Sequence, residues 1–228
     1  MRTPKYITLE QGHKLAMSTN TIEEQVLILA LLYTGARISE ILRVRPVDVS
    51  LTERWISIPH LKRARKNQSV KPSPLPDPHD QTPDQPLKEA PREPIEQLTR
   101  RIPLAGPLIP LFTALMNQTI KTPGVRQTAK RRLDASERPL FPFSRMTAFR
   151  IVREASVRSG IRTQAGTLVH PHALRHTFAI TWIKGGGKIE MLARFLGHAD
   201  TKTTAIYLQF APTDLMHEQD RIFNTTQA

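Results

Sequence analysis

Eight of the chain's 19 prolines fall between Asn67 and Pro94, and that run limits what the rest of the sequence can build. Proline locks φ and carries no N–H, so such a stretch sustains neither a helix nor a sheet ladder. Its polar, low-complexity composition cannot bury enough apolar surface to offset the entropy of ordering, which predicts a mobile loop over 67–94. The flanks read differently. Trp55-Ile56-Ser57-Ile58 alternates as a strand does, and Thr99-Arg100-Arg101-Ile102-Pro103-Leu104 is a suitable partner. The run therefore decorates a β-hairpin rather than dividing two domains, and 1–228 reads as a single domain with a tail segment over 212–228.

Helical signals dominate the remainder. Thr8-Leu9-Glu10-Gln11 and Thr21-Ile22-Glu23-Glu24 read as capping boxes, each opening a helix. The second leads into the apolar stretch Val26 to Tyr33, and Gly35 suits the position that closes it. Ile38 to Leu42 predicts a short helix that ends before Pro46. Leu108 to Ile120 is apolar enough for a helix, and a basic loop follows it. Ser144 caps a helix running to Ser159, with Gly160 ending it. His172 to Lys184 and Lys188 to Leu196 are further helices around the turn Gly185-Gly186-Gly187. Thr201 to Leu208 is a short helix carrying Tyr207. After Pro212 a last amphipathic segment runs to Phe223. The expected fold is α+β, mainly α-helical, with a small antiparallel sheet.

The charge narrows the partner. Lys and Arg number 33 against 20 Asp and Glu, a formal charge of +13, and no amphipathic lysine-rich helix argues for a membrane surface. Such a surplus favours a polyanion, with nucleic acid ahead of the alternatives. The chain has no cysteine, which removes disulfides, thiolate zinc sites and cysteine nucleophiles together. No apolar run is long enough to span a bilayer, and the N-terminus lacks the apolar core of a signal peptide, so the expectation is a soluble, cytoplasmic protein.

One constellation carries chemistry. His172-Ala-Leu-Arg175-His176, Leu196-Gly197-His198 and Ile206-Tyr207 lie in order in the last quarter of the chain, and Thr34-Gly35-Ala36-Arg37-Ile38-Ser39-Glu40 adds a second arginine upstream. Two guanidinium forks can clamp the non-bridging oxygens of a phosphodiester, where attack at phosphorus builds charge. Tyr207 is the candidate nucleophile among three tyrosines, since Tyr33 ends an apolar helix and Tyr6 lies near the terminus. A free phenol has a pKa near 10, so it needs cations or a base nearby; His172, His198 and the arginines can supply both. A leaving 5′ oxygen needs a proton, and Lys62 at the end of the first strand offers one, with Lys66 and Lys71 as competitors. Competing motifs are weak. His170, His172 and His176 lack the glutamate of a zincin, and Gly185-Gly186-Gly187-Lys188 lacks the spacing of a P-loop, so neither a metal nor a nucleotide cofactor is expected.

Taken together, Thr34 to Glu40, His172 to Ala179, Leu196-Gly197-His198 and Thr203 to Tyr207 resemble the tyrosine recombinase (phage integrase) family. The resemblance runs from about Thr8 to Phe210 and is weakest between Asn67 and Gln97. It implies a recombinase-type catalytic domain in which Arg37 and Arg175 clamp the phosphate, His172 pairs with the second arginine, His198 holds the His/Trp position, and Tyr207 forms a 3′-phosphotyrosyl bond. Lys62 looks like the hairpin lysine that protonates the 5′ oxygen. The implied function is site-specific recombination of double-stranded DNA without metal or ATP, by a homotetramer on paired sites. Two departures stand out. The catalytic-domain pattern begins within about ten residues of Met1, so the usual N-terminal clamp is expected to be either absent, as in short members of the family, or removed by truncation, with an accessory DNA-binding protein as one replacement for it. The proline-rich insert interrupts the hairpin that carries Lys62; because loop-closure cost grows slowly with length, the strand ends are expected to stay paired.

Beyond the site, Arg63, Arg65 and Lys66 beside the hairpin, and Lys130, Arg131 and Arg132 in the basic loop, are candidate phosphate contacts. Arg145, near a helix start, is a candidate for reaching a base edge. Rival readings are a type IB topoisomerase-like activity, a DNA-binding accessory or regulatory module, and a phosphodiester hydrolase. The sequence names neither the DNA site nor the direction of the event among integration, excision, inversion and resolution.

Overall fold

The computed structural model describes residues 4–59, 99–121, 137–198 and 201–211. Seven α-helices dominate it: α1 (Leu9–Met17), α2 (Ile22–Thr34), α3 (Ile38–Ile41), α4 (Leu108–Lys121), α5 (Arg145–Ser159), α6 (Pro171–Lys184) and α7 (Ile189–Leu196). Three short strands, β1 (Val49–Ser50), β2 (Trp55–Pro59) and β3 (Thr99–Pro103), form one antiparallel sheet in the order β1-β2-β3. None of the described helices is long and apolar enough to cross a membrane.

The helix ends follow their capping chemistry. Thr8 accepts the Gln11 N–H while the Gln11 side chain accepts the Thr8 N–H, closing a reciprocal box at α1. At α2 only half of the expected box forms: Thr21 accepts the Glu24 N–H, but the Glu24 carboxylate takes the N–H of Asn20 instead of Thr21. Ser144 and Gly160 bracket α5 as expected, the glycine in the left-handed conformation at φ 69°.

The core forms around α2, whose residues Val26 through Leu32 are all buried. A helix apolar on every face is one that others surround, and α1, α4, α5 and α6 all pack against it. A smaller apolar cluster joins Ala179, Ile180 and Ile183 of α6 to Leu192 and Leu196 of α7 and to Tyr207. The expected helix over 201–208 is instead two 3-10 turns, Thr201–Thr203 and Ala205–Phe210. These tighter turns bring Tyr207 inward, leaving it 2% exposed.

The sheet has strict registry. Ile56 pairs with Ile102 and Ile58 with Arg100, so Arg100 lies on the face of β3 that carries the buried Ile102. The ladder continues to Pro59 opposite Thr99, so the strand ends stay paired across the proline-rich connection. The loop expected over 67–94 lies outside the described residues, as does the amphipathic segment after Pro212. β1 was not expected; two residues are too few for periodicity to reveal.

Gly35 is the tightest junction. It closes α2 at φ 60°, and a Cβ there would meet the Phe178 ring and lie 2.9 Å from Leu196. Gly160 has a similar φ with nothing within 4 Å. Gly35→Ala is expected to cost roughly 2–4 kcal/mol from backbone strain plus overpacking, and Gly160→Ala about 1 kcal/mol from strain alone. Urea unfolding of both variants checks this; equal losses would show that the Phe178 and Leu196 contacts do not set the junction.

Candidate active site

Pro171 at the first position presets α6, and Arg175 enters the protein one turn later. Arg175 is 5% exposed. Its Nη1 donates to the Gly35 carbonyl at 2.6 Å, and its Nη2 donates to the Leu196 carbonyl at 2.7 Å and to His198 Nε2 at 3.0 Å. Both carbonyls end helices, Gly35 capping α2 and Leu196 finishing α7. Two helix C-termini, with their unpaired carbonyls and negative dipole ends, thus converge on one cation. Burial and the neighbouring Arg37 lower the Arg175 pKa to about 10, which still leaves it charged at neutral pH.

Arg37 precedes α3 and is held by a carboxylate. Its backbone N–H donates to Glu40 Oε2 at 2.9 Å and its Nη1 to Glu40 Oε1 at 2.8 Å. Glu40 is fully buried and also receives Arg100 Nη2 at 2.7 Å. Burial pushes the Glu40 carboxyl up, but Arg100 and Arg37 together outweigh it and hold it below the ordinary carboxylate value.

The contact with Arg175 fixes the tautomer of His198. An arginine has no acceptor, so His198 Nε2 accepts and the ring proton sits on Nδ1. Nδ1 then donates to Thr204 Oγ1 at 2.8 Å, tying the ring to the segment that carries Tyr207. The Tyr207 hydroxyl lies 2.8 Å from His176 Nδ1. Burial raises the Tyr207 pKa, an effect only partly countered by Arg175. Burial also lowers His176, to about 4, so at neutral pH the pair is a neutral phenol on a neutral imidazole.

His172 is exposed in the first turn of α6, and burial of part of its ring together with Arg175, Arg37 and Arg145 lowers its pKa. Arg37, His172, Arg175, His198 and Tyr207 are therefore brought to one locality around the start of α6. Arg145, exposed at the start of α5, acts electrostatically on His172 and so borders the same locality. Lys62, Arg63, Arg65 and Lys66, the rival Lys71, and Lys130, Arg131 and Arg132 lie outside the described residues. No cluster of three or more His, Cys, Asp or Glu that could hold a metal occurs among the described residues.

Comparison with known proteins extends this picture. The family model described as "Phage integrase family" matches residues 97–213, more than half of the chain. The chain belongs to the phage integrase family. A curated relative named tyrosine recombinase, from Thermosipho africanus, is 28% identical over 213 residues, covering 92% of this chain and 59% of that relative. The chain thus spans about six-tenths of that relative's length. The crystal structure of XerA recombinase superposes with a TM-score of 0.64 at 20% identity, covering 98% of this chain and 66% of that one. The Tn1549 transposon integrase, determined in complex with circular intermediate DNA, superposes with a TM-score of 0.62 at 20% identity, covering 95% and 66%. The fold is that of tyrosine recombinase catalytic domains, mostly helical with a small antiparallel sheet.

Three residues at this integrase-family site were not singled out for it from the sequence: His176, Glu40 and Arg100. The sequence reading gave proton shuttling to His172 and His198, yet the phenol's partner is His176, while His198 is engaged by Arg175 and Thr204. A signal for His176 existed. It precedes Ala179, Ile180 and Ile183 at helical spacing, so it is the polar residue at the head of an apolar stripe. Burial holds His170, His172 and His176 below the ordinary imidazole value. The unfolded chain therefore binds protons near pH 6.5 that the folded chain does not yet take. Stability from these groups is complete above about pH 6.5 and is lost as pH falls toward about 4. The urea midpoint is expected to drop between pH 7 and pH 5, and His176→Asn to flatten that drop; an unchanged pH dependence in the variant would contradict the burial of a neutral His176.

Proposed function

We propose that this domain cuts and rejoins double-stranded DNA at specific sites through a 3′-phosphotyrosyl intermediate, as the catalytic part of a tyrosine-type recombinase. The observation that carries the reading is the convergence on α6. A buried arginine, a second arginine fixed by a carboxylate, three imidazoles and a buried phenol share one locality. A mere DNA-binding module needs basic groups but no buried tyrosine bonded to a neutral histidine.

In this mechanism Arg37 and Arg175 bind the non-bridging oxygens of the scissile phosphate, each contributing roughly 3–4 kcal/mol to the transition state. Tyr207 Oη attacks phosphorus and its proton passes to a site imidazole, His176 being the one already bonded to the hydroxyl. The bond from phosphorus to the 5′ oxygen breaks, and that oxygen takes a proton from Lys62. One phosphodiester is exchanged for another, so no metal or ATP enters the balance. His172 and His198 donate hydrogen bonds to the phosphate, His198 once its Nε2 has left Arg175 and taken up a proton. Rejoining reverses each step with a new 5′ hydroxyl. The working assembly is a homotetramer on paired sites, with Arg63, Arg65, Lys66, Lys130, Arg131, Arg132 and Arg145 on the DNA backbone or bases. The cytoplasm is where such DNA is met.

In the resting site Tyr207 is protonated and buried, so DNA binding must expose it and draw its proton away. Nicked duplexes tiled across DNA flanking the coding sequence supply the test. The protein is expected to become covalently linked to DNA at Tyr207, and Tyr207→Phe to lose all linkage while binding DNA within about threefold of wild type. Linkage that survives in Tyr207→Phe would contradict the assignment, and binding without linkage across all tiles would favour an accessory module.

A further inference from the structure

Arg100 occupies a position that strand alternation reserves for an apolar residue. It sits on the face of β3 that carries the buried Ile102, and its side chain is 9% exposed. Its Nε donates to the Phe195 carbonyl at 2.8 Å and its Nη2 to Glu40 Oε2 at 2.7 Å. Its Nη1 is buried with no hydrogen-bond partner among the described residues. A buried guanidinium with one nitrogen unpaired is costly, so packing alone gives a poor account of an arginine at this position.

The charge balance gives a better one. Glu40 binds both the backbone and the guanidinium of Arg37. Were Glu40 and Arg37 the only charges there, the carboxylate would cancel Arg37, and a neutral pair attracts a phosphate weakly. Arg100 shares the same carboxylate. The three arginines Arg37, Arg100 and Arg175 then face one glutamate, a surplus of two positive charges (3 − 1) around a buried centre. Arg100 also reaches the Phe195 carbonyl, next to the Leu196 carbonyl that receives Arg175 and three residues before His198.

We propose that Arg100 is a positioning residue whose charge cancels Glu40, so that Arg37 keeps its own positive charge for a DNA phosphate. Glu40 then acts as a fixed support for Arg37 and not as its counter-ion. The inference rests on the proposed phosphate-clamping role of Arg37 but not on transesterification, so DNA binding can test it separately.

The experiment is a charge-rescue cycle with Arg100→Met, Glu40→Gln, the double variant and Arg100→Lys, each checked for folding by thermal melting. Equilibrium binding to a short mixed-sequence nicked duplex is measured across a salt series, and covalent linkage is timed on the nicked tiles from the flanking DNA. Arg100→Met is expected to flatten the log–log salt dependence by about 0.9, one phosphate contact, and to slow linkage at least about tenfold. Adding Glu40→Gln is expected to restore the slope and most of the rate, since it removes the charge that Arg100 had cancelled. Arg100→Lys, which keeps the charge without the fork, is expected to retain the wild-type slope. A structural role alone would not be repaired by a second substitution, so a double variant no better than Arg100→Met would overturn the proposal. If Arg100→Met fails to fold, the decision passes to Arg100→Lys and the double variant: loss of the slope in either overturns it. Absence of linkage in the wild-type protein would count against the transesterase reading while leaving the binding cycle to judge Arg100.

Discussion

Burial of the Arg175 guanidinium is the interaction on which the rest of the structure turns. Taking a cation out of water costs several kcal/mol unless its donors are satisfied. Here the donors are met by the ends of two helices and by His198. Satisfying Arg175 therefore brings the end of α2, the end of α7 and the start of α6 together. Gly35 must be glycine-like for its carbonyl to face inward, since the chain turns at φ 60° against Phe178 and Leu196. The proposed phosphate clamp and the fold share the same hydrogen bonds.

That coupling extends to Tyr207. His198 passes the constraint from Arg175 to Thr204, and Thr204 lies three residues before Tyr207. Tyr207 meanwhile belongs to the smaller apolar cluster and reaches His176 on the face of α6 that carries Ala179, Ile180 and Ile183. Packing thus keeps the phenol neutral and close to the arginines, with an acceptor in place. The imidazole and the phenol have opposite environmental shifts, both caused by burial, and both disfavour charge in the resting protein. An arriving phosphate would reverse that preference for the imidazole by adding a negative charge nearby.

Elements that depend on local chemistry were readable from the chain. Ser144 and Gly160 bounded α5 to the residue, and the strand pair emerged from the alternation of Trp55 to Ile58 and the run at Thr99 to Leu104. The grouping of Arg37, His172, Arg175, His198 and Tyr207 was expected from residue chemistry and from the family resemblance that the ordered motifs carry. What was not readable depends on tertiary partners. Glu24 accepts the N–H of Asn20 and not that of Thr21, a choice between adjacent donors that residue types alone do not decide. The segment around Tyr207 tightened into 3-10 turns as Tyr207 packed inward, where a helical period had been expected. His176 and Arg100 were each a polar residue on an apolar face, a local inconsistency of the kind that marks functional positions. Their partners lie 31 and 60 positions away in sequence, beyond the reach of local pattern.

The central claim is that one guanidinium serves both the fold and the phosphate, and Arg175→Lys tests it most directly. Lysine keeps the charge, but a single ammonium cannot satisfy Gly35, Leu196 and His198 in the geometry of a planar fork. Urea unfolding and the rate of covalent linkage to nicked DNA, measured on the same preparation, give the two readouts. The account predicts that both fall together, stability by about 3–5 kcal/mol and linkage by about 10²–10³-fold. A variant that loses linkage yet keeps wild-type stability, or loses stability yet links at the wild-type rate, would contradict it.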